Sequence, residues 1–178
     1  MASVARTAPA PRPDRPAVRR AASGDLDPLA ELWWVAWRAT YPPLLPSELV
    51  ALFHKGLLRD QLEAALPATL LAEIGGRLAG FAFRADNLVD NLWVLPSLQR
   101  QGVGAALLGR TAAIIADEGY AFARLRCVAA NRRARAFYRG QGWREARFPV
   151  DLVRGEFEVP MVEYQKGLTL PGPDGLTS

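Results

Sequence analysis

An α/β fold around one mixed sheet is what three features of this 178-residue chain predict. Short β-rich runs alternate with segments of helical periodicity, and a Gly75-Gly76 pair joins two runs as a tight hairpin would. Half of the residues are apolar, enough for one substantial core. One domain over residues 17–168 is therefore expected. Residues 1–16, with Pro9, Pro11, Pro13 and Pro16 among Ala and Arg, cannot bury enough apolar surface to offset their ordering entropy. They are expected to form a disordered tail, with a matching loose end at 169–178.

In chain order, Ala17 to Ala21 is a short strand, and Ser23 is placed to cap a helix whose Leu26, Leu29, Ala30, Trp33, Trp34 and Trp37 recur at helical spacing. Pro42 and Pro43 end it. A second helix, capped by Ser47, is expected from Ser47 to Leu62, with Gly56 as its weak point. Thr69 to Ile74 and Arg77 to Arg84 form the hairpin, and Leu88 to Leu95 is a further strand stopped by Pro96. Gly102 to Gly119 reads as a helix ended by its glycine. Phe122 to Ala129 is a strand, Asn131 to Gln141 a helix, and Arg144 to Val150 with Glu156 to Gln165 a closing antiparallel pair. The total is about seven strands.

Charge excludes several partners. The net +4 comes from the first twenty residues, where five arginines face Asp14, and beyond them 17 basic residues meet 17 acidic ones. The folded part thus has no bias toward nucleic acid or anionic membrane, and neither partner is expected. No apolar run approaches the roughly 20 residues that span a bilayer, and no secretory hydrophobic stretch opens the chain. A single Cys127 cannot pair internally, which suits a cytoplasmic location, and with one histidine, His54, no metal site is expected. Both residues are expected to be structural.

Chemistry concentrates after Leu95. Gln99-Arg100-Gln101-Gly102-Val103-Gly104-Ala105 opens a helix with glycines where backbone amides must approach a ligand, and a helix N-terminus with unpaired N–H groups is an anion site suited to a pyrophosphate. A dinucleotide fold would need a third glycine where Leu107 stands, and a P-loop would need Gly-Lys-Ser/Thr. The order and spacing of Leu92-Trp93-Val94-Leu95-Pro96, Gln99-x-x-Gly102-x-Gly104, Asn131, Ala136-Phe137-Tyr138 and Gly142-Trp143 resembles the GNAT acetyltransferases.

The resemblance implies a mostly antiparallel sheet flanked by helices and splayed at a bulge to bind acetyl-CoA. It implies that Leu92, Trp93 and Val94 pair with the pantetheine arm and that Arg100, Gln101, Gly102, Val103, Gly104 and Ala105 cradle the pyrophosphate. Asn131, Arg133, Ala134 and Phe137 would line the other cofactor wall, with Arg132, Arg133, Arg135 and Arg139 available to the 3'-phosphate or adenine. Tyr138 would be the general acid for the CoA thiolate.

Attack on a thioester needs a neutral amine, and Asp90, two residues before Leu92, is the first choice of base, acting directly or through water; Asp86 and Glu31 are weaker choices. Trp37, Tyr41 and Pro42 resemble the acceptor-side segment of small-amine and polyamine acetyltransferases, so Trp37, Tyr41 and Asp90 are the expected acceptor site. The expected activity is direct acetyl transfer from acetyl-CoA to a primary amine, such as a polyamine or other small amine. A protein N-terminus or lysine, or a non-catalytic acyl-CoA-binding module, is the alternative. A homodimer is compatible with the closing strands.

Overall fold

The computed structural model describes residues 15–170. The expected tails lie outside them, apart from Arg15, Pro16, Thr169 and Leu170. Eight strands form one sheet in the order β1 (Ala17–Arg20), β2 (Thr69–Ile74), β3 (Arg77–Ala85), β4 (Leu88–Val94), β5 (Phe122–Val128), β8 (Phe157–Gly167) and β6 (Arg144–Arg147), with β7 (Val150–Val153) paired to the first half of β8. Every pairing is antiparallel except β4 with β5, whose connection runs through helix α4 (Val103–Asp117). The expected mixed, mostly antiparallel sheet is present. The strand beyond seven arises because the closing pair is three strands, β7 separating from β6 at Phe148-Pro149.

Helices α1 (Leu26–Thr40), α2 (Ser47–Ala51) and α3 (Lys55–Ala65) lie on one face, where Leu29, Trp33, Leu58 and Leu62 pack on Leu71, Phe81, Phe83 and Trp93. Each such large side chain contributes about 1.5–3 kcal/mol by leaving water. Helices α4 and α5 (Arg132–Gly140) cover the other face, Leu107 meeting Leu70 and Ala82, and Tyr138 meeting Leu125 and Cys127.

Three local expectations are corrected. Ser23 does not cap α1; residues 23–25 form a 3-10 turn in which the Asp25 carboxylate accepts the Ala22 N–H at 2.8 Å. The helix expected from Ser47 to Leu62 is two helices, and Ser47 makes no cap bond. Leu49 packs with Val128 and Val159, whereas Leu58 and Leu62 pack under α1, and one straight helix cannot serve both. The chain turns at Leu52 to His54, and His54 caps α3 by accepting the Leu57 N–H at Nδ1, 3.2 Å away. The bulge expected at Leu92 lies at Asp90, since Phe83 pairs with Asn91 and Arg84 with Val89. That extra residue lets Val89 and Leu92 both face the α4 side, which strict alternation forbids. The Gly75-Gly76 hairpin is as expected, both glycines having positive φ.

Candidate active site

β4 and β5 pair only at Leu88 with Arg124 and Val89 with Leu125, and beyond that point the two strands part. This splay is the centre of the site. Leu95 gives its N–H to Ala79 at 2.9 Å, so by ladder alternation the backbone groups of Trp93 also face β3 while those of Leu92 and Val94 face the gap. Trp93 is thus placed differently from its neighbours: its backbone is held by β3 and its ring lies on the opposite side, against Trp33 and Tyr41. The Val94 carbonyl accepts from Gln99 Nε2 at 3.3 Å, which ties the end of β4 to the loop that follows.

That loop turns through Arg100 (φ 63°) and Gly102 (φ 84°), the N-cap of α4. The first helical bond runs from Ala106 N–H to the Gly102 carbonyl at 2.9 Å, leaving the amides of Val103, Gly104 and Ala105 without helical partners. Gly104 has a second use. A Cβ there would stand 3.2 Å from Phe137 Cζ, so its absence lets α5 close against the start of α4. Asn131 caps α5, its Oδ1 accepting the Ala134 N–H at 3.0 Å. Glu145 engages both Arg135 (3.0 Å) and Arg139 (3.2 Å), while Arg132 and Arg133 are exposed and form no ion pair among the described residues.

Tyr138 is 9 % exposed and packs between Phe137 and Tyr164. Burial raises the pKa of its hydroxyl above the ordinary tyrosine range, with smaller upward contributions from Cys127, Tyr41 and Tyr164. The Cys127 thiol is likewise pushed up by burial, to about 12, and is no nucleophile at neutral pH. Asp90 stands on the bulge, open to solvent on one side and crowded on the other; that partial desolvation lifts its carboxyl, against the lowering effects of the Asn91 amide and Arg126. Glu31 pairs with Lys55 on the outer face of α1, and Asp86 lies in the β3–β4 turn, at the closed end of the splay.

Across the sheet from α4, a cavity of about 190 Å³ opens beside the gap. Of the residues expected at the acceptor site, Trp37 and Tyr41 border this cavity and Asp90 does not. Sequence reasoning missed Trp33, Phe53, Asn91, Val128 and Met161, which also border it. Asn91 was the one that a signal marked, a polar residue inside an apolar strand: its amide donates to Asp90 at 3.2 Å and its Oδ1 accepts from Trp93 Nε1 at 2.9 Å.

The model of the acetyltransferase (GNAT) family matches residues 26–143, which span α1 to the end of α5 and include the splay of β4 from β5, the start of α4 and Tyr138. The chain belongs to the GNAT acetyltransferase family. Its architecture is similar to that of a GCN5-related N-acetyltransferase from Rhodopseudomonas palustris (TM-score 0.73, 19 % identity, 89 % of this chain and 99 % of that one). It is also similar to yncA, a putative acetyltransferase from Salmonella typhimurium solved with acetyl-CoA (TM-score 0.66, 18 % identity, 91 % and 99 %). A third, the paia N-acetyltransferase of Thermoplasma acidophilum in complex with coenzyme A, agrees at TM-score 0.62 and 22 % identity (85 % and 98 %). No curated protein matches. Among the described residues of this GNAT chain, no helix is long and apolar enough to cross a membrane and no cluster of His, Cys, Asp and Glu could hold a metal.

Proposed function

We propose that this chain transfers the acetyl group of acetyl-CoA directly to a primary amine seated in the cavity. The observation that carries this reading is that Asn91 and Val128, one from each side of the splay, border the cavity on one face while Leu92 and Val94 present backbone groups to the same gap. A thioester lying along β4 therefore meets an amine from the cavity without an acyl-enzyme. The residues suit acetyl-CoA: amides of Val103 to Ala105 for pyrophosphate, a free strand edge for the pantetheine arm, Phe137 as a wall, and Arg132 and Arg133 for the 3'-phosphate.

The amine nitrogen forms a bond to the thioester carbonyl carbon, the carbon–sulfur bond breaks, and the amine proton leaves through water toward Asp90. Tyr138, kept protonated by burial, donates a hydrogen bond and then its proton to the departing sulfur. The products are the N-acetyl amine and free CoA.

A small acceptor is favoured over an extended peptide because the β7–β8 hairpin closes toward α2 and α3, Arg154 lying 5.6 Å over the Phe53 ring. The test is CoA release from acetyl-CoA with a panel of small amines and short peptides, the product identified by mass spectrometry. Amine-dependent release with an N-acetylated product is expected; CoA binding without turnover on any amine would count against catalysis.

A further inference from the structure

We propose that the acceptor is a primary amine on an apolar body of about phenylethyl size, and not a polycation; this rests on the transferase reading above. Trp37, Tyr41, Phe53 and Leu49 wall the cavity, its side-chain amides are those of Asn91 and Gln61, and among the described residues no Asp, Glu, Lys or Arg borders it. An amine with further ammonium groups would bury them with no carboxylate to pair, an unfavourable transfer. An apolar body gains there instead, and one ammonium can rest on aromatic faces as it enters.

Size is consistent with this. A dry apolar cavity of about 150 Å³ holds a benzene ring, and this one measures about 190 Å³.

Calorimetric titration of the CoA-saturated protein with 3-phenylpropylamine, 2-phenoxyethylamine and spermidine tests this. Both aryl amines are expected to bind at least tenfold more tightly than spermidine. Spermidine binding as tightly as the aryl amines, or no aryl amine binding, overturns the proposal. Failure of CoA itself to bind, read in a separate titration, would remove the transferase reading beneath it.

Discussion

Phe137 rests against the bare α-carbon of Gly104, where a Cβ would stand 3.2 Å from its Cζ and 3.7 Å from Val94 Cγ2. The first turn of α4, the edge of β4 and the face of α5 therefore meet at one point, and the width of the cleft proposed to hold acetyl-CoA depends on it. Gly104→Val is expected to raise KM for acetyl-CoA about tenfold, roughly 1.4 kcal/mol, with kcat changed less. At Gly102, where φ is 84°, alanine is expected to cost about 1–2 kcal/mol of stability. Steady-state kinetics and thermal melts of the two variants separate these effects.

Tyr138→Phe keeps the packing against Phe137 and Tyr164 and removes only the hydroxyl. The expected outcome is a fall in kcat of about 10²-fold or more with CoA affinity unchanged. Wild-type turnover would take the proton-donor role away from this residue.

For Asp90, a position outside the cavity but bonded to Asn91 implies action at one remove. Asp90→Asn is expected to lower kcat/KM by about tenfold and to flatten the acid limb of its pH profile. Desolvation raises this carboxyl, so in the wild type that limb lies above the ordinary aspartate range, since a base acts only when deprotonated. An unchanged profile would exclude it as the proton acceptor.

Alkaline stability is set by the groups at the gap. Burial raises Cys127 from 9.0 to about 12 and raises Tyr138 and Tyr41 above the tyrosine range. An unfolded chain gives up these protons first, so the stabilisation is complete below pH 9 and declines as pH rises toward 12. Melting temperature is expected to fall over that window. Cys127→Ala should flatten the part between pH 9 and 10, before the tyrosines begin to titrate in the unfolded chain.

Much of the fold was legible because its signals are local. The two glycines at 75 and 76 specify a turn with two positive φ angles, and Gly119 stops α4 at φ 89° as a C-terminal glycine does. Asn131 caps α5 within its own turn. The break between α2 and α3 was marked only faintly, by Gly56, because what separates the two helices is the distant partners they reach: Leu49 packs with Val128 and Val159, and Leu58 and Leu62 pack under α1. The bulge at Asp90 was hidden for the same reason: strand alternation reports two faces and cannot show where a neighbouring strand adds a residue.

By itself the sequence determined the order of elements, the glycine-opened start of α4 and the place of Tyr138 one helix later, since each depends on backbone conformation and spacing within a few residues. The tertiary structure alone decided the aromatic cavity beside the splay. Its walls come from α1, the turn after α2, β4, β5 and β8, segments far apart in the chain that share no period. It also decided which arginines remain available for a ligand, because Glu145 reaches Arg135 and Arg139 only when β6 lies beside α5. Such pairings arise from packing between distant segments, and no residue's own neighbours in the sequence encode them.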